Sequence, residues 1–335
     1  MDPRSRLRPV AAAVTLALAA GAVAAAGSAC TAPAMHLSRA EDFRLLLEDG
    51  RTPARGAGRL VVTFFETGLG DATLVELPDG RAFLVDAGIG WHVDHILRYL
   101  DVRGIERLDG IVLTHPHFDH YGGIAEIVER VPTAALYHNG VRGRLGAWRR
   151  TESTLAARGV LSVVVRRGDE LASLARPGTG ASVEVLYPDD GASARGAVEN
   201  KNRGTVVFRL THGALRFLFL GDAEWAEEER LLALEGADGL AVDVLKLGHH
   251  ASPLSGGEEF LRAVRPRVAV AMGTEVVNVP LFWPKPNRRI RRVLRDLGTP
   301  ILTTGDDGAI QIVSDGRDLR VHTLERALAR RSSRS

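Results

Sequence analysis

Residues 110–113 form a short apolar run, Gly-Ile-Val-Leu, and the chain continues as Thr114-His115-Pro116-His117-Phe118-Asp119-His120. Three imidazoles and a carboxylate directly behind an apolar strand constrain the chain more than any bulk property does. Alternate residues of an extended segment point the same way, so His115 and His117 can share one metal ion. The chain then turns, and Asp119 with His120 can face a second. A mixed imidazole and carboxylate donor set suits zinc, manganese or iron.

Two later apolar runs end in the same kind of residue. Phe217-Leu218-Phe219-Leu220-Gly221 delivers Asp222, and Val244-Leu245-Lys246-Leu247-Gly248 delivers His249 and His250. A carboxylate between two cations can bridge them. On this reading the metal ligands are His115, His117, Asp119, His120, Asp222 and His249, with His249 completing the second site. His250 is left to support a ligand or meet substrate.

The pattern around these motifs predicts an α/β chain. Strands are expected over 60–65, 72–77 and 81–85, with Pro78-Asp79-Gly80 as the hairpin turn between the last two. Further strands are expected over 110–114, 134–137, 161–166, 183–187, 205–210, 215–220, 242–247, 268–272, 301–304 and 309–313. Helical periodicity marks 91–100, 122–131, 224–234, 257–264 and 287–297. In the last of these Ile290, Val293, Leu294 and Leu297 make the apolar stripe, and Gly298 stops it. Early hairpins followed by strand–helix alternation imply two sheets with helices outside them.

Residues 1–30 are a different object. Arg4, Arg6 and Arg8 precede an alanine-rich apolar run, the pattern of an export signal. Cys30, the single cysteine of the chain, sits where a bacterial lipoprotein would be cleaved and lipidated; Ala32-Pro33-Ala34 offers a competing cleavage site. The protein is therefore expected outside the cytoplasm, either free or held on a membrane surface. One cysteine permits no internal disulfide. The whole chain has 43 basic and 41 acidic residues. Losing residues 1–30 removes three arginines and one aspartate, which leaves 40 of each. Such a neutral body has no overall field to draw in a polyanion.

Taken together, His-x-His-x-Asp-His, Gly-Asp at one strand end and Gly-His at another resemble the metallo-β-lactamase superfamily. The sequence resembles most the hydrolase domain of ComEC-type competence proteins and their stand-alone relatives, over roughly residues 59–313. Glu66-Thr67-Gly68-Leu69-Gly70-Asp71-Ala72 is similar to the family's opening phrase. Phe83-Leu84-Val85-Asp86-Ala87-Gly88, Leu245-Lys246-Leu247-Gly248-His249-His250-Ala251-Ser252 and Thr304-Gly305-Asp306-Asp307-Gly308 are similar to three later ones. Where many superfamily members carry a further histidine, this chain has Asn200 and Asn202, followed by Thr205, as the ComEC-type pattern does. Other positions depart from the family: Glu66 and Leu69 stand for Asp and Gln, Ala251 for Gly, and Trp283 for a His.

The resemblance implies a four-layer αββα sandwich with a signal over 1–30, a linker over 31–57, a hydrolase domain over 58–315 and a basic C-terminal tail over 316–335. It also implies two divalent ions, zinc or else manganese, and hydrolysis by a hydroxide that bridges them. Asp119, Asp222, His250 and Asn202 are the catalytic candidates. The substrate class it implies is a phosphodiester, nucleic acid included. Lys285, Arg288 and Arg289, on and beside the basic helix of residues 287–297, are candidates to grip phosphates. Hydrolysis of a lactone, β-lactam or thioester is the alternative, and a surface binding protein with a decayed site is a third reading.

Overall fold

The computed structural model describes residues 52–68, 70–189, 200–273 and 286–325. Residues 1–30, where an export signal and Cys30 lipidation are expected, most of the linker, Lys285 and Trp283 lie outside the described residues. No helix among the described residues is long and apolar enough to cross a membrane.

Strands β1 (Leu60–Phe64), β2 (Thr73–Glu76) and β3 (Ala82–Val85) form an antiparallel meander, with the β2–β3 turn at Pro78-Asp79-Gly80 as expected. Helix α1 (Val93–Val102) then crosses to β4 (Gly110–Leu113), which lies parallel to β3. The short helices α2 (Phe118–Tyr121) and α3 (Ile124–Arg130) lead to β5 (Ala135–His138), and α4 (Gly146–Ala157) to β6 (Leu161–Val164), again parallel.

A second sheet follows from β7 (Ala181–Tyr187), β8 (Val207–His212) and β9 (Leu215–Phe219), all antiparallel. Helix α5 (Trp225–Leu240) returns to β10 (Val244–Lys246), α6 (Glu258–Val264) to β11 (Val268–Ala271) and α7 (Arg288–Asp296) to β12 (Ile301–Thr303), each strand parallel to its predecessor. The short helix α8 (Thr304–Asp307) precedes β13 (Ile310–Ser314) and β14 (Leu319–Thr323), which return to the first sheet. The strand orders are β14-β13-β1-β2-β3-β4-β5-β6 and β12-β11-β10-β9-β8-β7.

Period-two alternation sorts the side chains into three apolar layers. Val62, Phe64, Val75, Phe83 and Val112 of the first sheet meet Val185, Phe208, Phe217, Phe219 and Val244 of the second. Leu74, Leu84, Ile111 and Leu113 point the other way and cover Ile96, Tyr99, Ile124 and Ile127 of the helices. On the far side Leu218, Leu245 and Ala269 pack against Leu231, Phe260, Leu261, Val293 and Leu294. The result is the expected four-layer αββα sandwich.

Two boundaries differ from expectation. Residues 316–335 are not a tail throughout, because Leu319–Thr323 pairs in register with Ile310–Ser314 as an edge strand. The far end of the linker is also part of the domain, since the Arg103 guanidinium bonds the Pro53 carbonyl at 3.2 Å.

Candidate metal centre

The parallel pairs β3/β4 and β9/β10 end at one edge of the sandwich. Ligand sites in parallel sheets gather at carboxyl ends of strands for this reason. Asp86 follows β3, Thr114 to His120 follow β4, Asp222 follows β9, and His249 and His250 follow β10. The β1–β2 loop adds Asp71 from the side, where the Asp71 N–H donates to the Asp119 carbonyl at 3.2 Å.

Asp222 is the centre of the arrangement, and its two oxygens face different histidines. Oδ1 lies 3.4 Å from His120 Nε2 and 3.8 Å from His250 Nε2. Oδ2 lies 3.6 Å from His115 Nε2 and 3.9 Å from His249 Nε2. His117 Nδ1 stands 2.7 Å from His115 Nε2, so those two nitrogens converge as the spacing predicted. Asp119 Oδ2 is 3.8 Å from His120 Nε2 and 3.4 Å from His250 Nε2. Compact donor triads form from His115, His120 and Asp222, and from Asp119, His120 and His250.

This geometry corrects the sequence reading of the Gly-His-His segment. His250, not His249, joins Asp119 and His120 on the second side, while His249 lies on the His115 side. The cause is local backbone: His249, His250 and Ala251 adopt φ of 44°, 52° and 59° in succession. Three left-handed residues in a row break the strand alternation that spacing assumes.

Each inner histidine is held by a group on its Nδ1, leaving Nε2 for the cluster. Asp86 Oδ2 is 2.8 Å from His120 Nδ1 and also accepts the Thr114 hydroxyl at 2.7 Å. The Thr114 hydroxyl lies 3.1 Å from His115 Nδ1. Asp71 Oδ1 is 3.0 Å from His250 Nδ1, and the same carboxylate is paired with the buried Lys246 ammonium. Such partners fix ring orientation and raise ligand basicity. Asp71 and Asp86 were visible inside family-like phrases, and both missed assignment to the site. The usable signal was an acidic residue at the start or end of a buried strand next to a histidine-bearing one.

Glu224 was missed altogether. It caps α5 in a reciprocal arrangement with Glu227, a pattern readable as Glu-x-x-Glu before an apolar helix. Its Oε1 also takes the Asn202 amide at 2.9 Å and faces His249 Nδ1 at 3.1 Å. Asn202 is thereby turned amide-first to Glu224, and its buried Oδ1 has no hydrogen-bond partner among the described residues. Thr205 accepts the Asp222 N–H at 3.1 Å, which positions the central carboxylate.

The charge balance of the cluster suits a cation. Burial pushes His115 well below the ordinary imidazole value and His117 down to about 4, so both are neutral lone-pair donors at neutral pH. Burial would raise Asp119 and Asp222, but the imidazoles around them win and hold both carboxyls ionised. Burial pulls His120 down, yet Asp222, Asp86 and Asp119 outweigh it and hold it well above its ordinary value. His120 Nε2 and Asp222 Oδ1 are buried with no hydrogen-bond partner among the described residues. Divalent cations would satisfy those atoms and neutralise the carboxylates, so the residues present fit the metal that the donor types imply.

The basic helix α7 is organised differently from expectation. Arg289 is committed to the protein: it donates to the carbonyls of Ser255 and Pro253 and stacks 4.8 Å from the Trp225 ring centre. That clamps the segment after His249-His250. Arg291 donates to Pro286 and Arg292 pairs with Glu258. Arg288 is exposed on the first turn.

A family model described as the metallo-beta-lactamase superfamily matches residues 66–274. Relatives include ComE operon protein 3 of Bacillus subtilis (strain 168), 27% identical over 277 residues, covering 75% of this chain and 32% of that protein. Competence protein ComA of Neisseria gonorrhoeae is 29% identical over 251 residues, with 75% and 32% covered. The chain thus spans about a third of these relatives' length. Among solved structures, the metallo-beta-lactamase fold protein YhfI of Bacillus subtilis aligns with a TM-score of 0.45 at 11% identity, covering 74% of this chain and 98% of that one. With the match running through every strand end that carries a metal-type residue, this chain belongs to the metallo-beta-lactamase superfamily, on the branch whose relatives are ComEC-type competence proteins.

Proposed function

We propose that this protein is a dinuclear metal-dependent phosphodiesterase or nuclease that works outside the cytoplasm. The observation that carries the dinuclear part is the division of Asp222, with Oδ1 toward His120 and His250 and Oδ2 toward His115 and His249. His115, His117 and Asp222, with His249 beside them, would hold one ion; Asp119, His120, His250 and Asp222 would hold the other. Zinc suits this donor set best, and manganese is the alternative. Such ions supply Lewis acidity that activates water near neutral pH.

The chain's own residues do the rest. Asp222 fixes the spacing of the two positions. Asp119, whose side chain is 36% exposed against 3% for Asp222, faces the open side and can orient the attacking water. Asp71 and Asp86 hold His250 and His120 in register. His249 and Asn202, both tied to Glu224, line the first side.

The phosphodiester substrate rests on the resemblance to ComEC-type proteins, and the site contains no cysteine of the kind some lactam-cleaving zinc enzymes use. Export rests on the signal-like residues 1–30 and lipidation on Cys30. A metal-reconstituted panel tests the substrate class: bis-p-nitrophenyl phosphate and single-stranded DNA against nitrocefin and a lactone. The expected result is phosphodiester cleavage that falls at least about 100-fold in His117→Ala. Lactam or lactone turnover without phosphodiester turnover would overturn the substrate class.

A further inference from the structure

Lys201 begins the single turn Lys201–Gly204 that carries Asn202 to the site. Its ammonium donates to the Pro116 carbonyl at 3.0 Å. Pro116 stands between His115 and His117, so this tether holds a positive charge against the segment that carries them. The side chain is half-buried, and among the described residues it forms no ion pair with a carboxylate. An ammonium has three N–H donors, and the Pro116 carbonyl takes one.

The surroundings do not favour this charge on their own. Burial and then the nearby Arg144 guanidinium push the Lys201 pKa down, against a smaller pull upward from Asp119. Lys201 differs from Arg289, whose Nε and Nη2 donate to main-chain carbonyls. Its position differs too: Arg289 braces the segment behind His250, whereas Lys201 is bonded to the metal-binding segment itself.

We infer that Lys201 is a substrate-positioning residue that receives a non-bridging oxygen of an anionic phosphate ester at the metal centre. This rests on the hydrolase reading and narrows it: the site selects an oxyanion over a neutral ester. A charge-assisted hydrogen bond to phosphate is the stronger kind, and removing it costs binding more than it costs chemistry.

The test uses full-length, metal-loaded protein with Lys201→Ala, Lys201→Gln and Lys201→Arg. Metal content and Tm are measured for each variant. Two readings are taken: the Kd of inorganic phosphate by calorimetry, and kcat and KM for bis-p-nitrophenyl phosphate beside neutral p-nitrophenyl acetate. The expected result is a rise of about tenfold in phosphate Kd and phosphodiester KM for Ala and Gln. Arg should recover much of the loss, and the loss on the acetate ester should be smaller. Gln keeps a donor for the Pro116 carbonyl, so a Gln variant that behaves as wild type makes Lys201 a tether only and overturns the inference. Equal losses on charged and neutral substrates would overturn it too. Phosphodiester turnover with unchanged Kd and KM removes the inference and leaves the hydrolase reading standing. A Lys201-dependent phosphate Kd without phosphodiester turnover does the reverse.

Discussion

Asp71 carries more of this site than its place in the sequence suggests. It is buried, paired with the buried Lys246, and 3.0 Å from His250 Nδ1. Lys246 also donates to the Gly221 carbonyl at 3.0 Å, which ties the pair to the residue before Asp222. Burial alone would raise the Asp71 carboxyl; Lys246 and His250 together hold it well below the ordinary carboxylate range. Asp71→Ala would strand a buried ammonium and release His250. The expected cost is about 3–5 kcal/mol in stability, read by denaturant unfolding, and a roughly 10–100-fold weaker second metal site, read by competition with a chelator. Unchanged affinity at that site would show that His250 needs no support from Asp71. At this scale the sequence was half legible. His115, His117, Asp119 and His120 declare themselves because they are crowded into one segment. Asp71, Asp86 and Glu224 do not, because each touches the cluster from a different loop.

The elements explain which parts could be read and which could not. Strand ends were legible because apolar runs stop abruptly at polar, metal-type residues. The left-handed stretch His249–Ala251 was not, because it reverses which side of the chain each side chain faces. Helix α4 buries only Trp148, Thr151 and Leu155 among many exposed charges, so its stripe is thin. Strand β14 is an edge strand whose mostly half-exposed residues include Arg320 and His322, which read as tail. The β1–β2 loop makes a prediction at this scale. Gly70 has φ +106°, and a Cβ there would lie 2.0 Å from the Asp119 carbonyl oxygen. Gly70→Ala must therefore push back the backbone that carries Asp119. The fold should survive, with near-wild-type far-ultraviolet circular dichroism, while metal bound at the second site drops. Full metal content in a folded Gly70→Ala protein would contradict the close approach. Gly221 is under similar constraint from the other sheet: a Cβ there would lie 2.2 Å from the Thr205 hydroxyl.

For the molecule as a whole, the sandwich is a frame that brings loops from both sheets to one edge. Asp71, Asp86 and the His115–His120 segment come from the first sheet, and Asp222, His249 and His250 from the second. The ionised carboxylates and buried imidazoles crowded at that edge are stabilised by whatever cation binds them, so metal binding and folding are linked. At free metal 100 times its Kd the linkage is worth about 2.7 kcal/mol, or roughly 5–10 °C in Tm for a domain of this size. On the proposed reading two cations sit on opposite sides of Asp222, with His250 on the second side. Metal content by plasma mass spectrometry, on zinc-reconstituted wild type, His250→Ala and His249→Ala, tests it most directly. About two ions per chain are expected in the wild type and about one in His250→Ala, with the smaller loss in His249→Ala. No retained metal in the wild type, or a full complement in His250→Ala with the loss falling on His249→Ala instead, would contradict it.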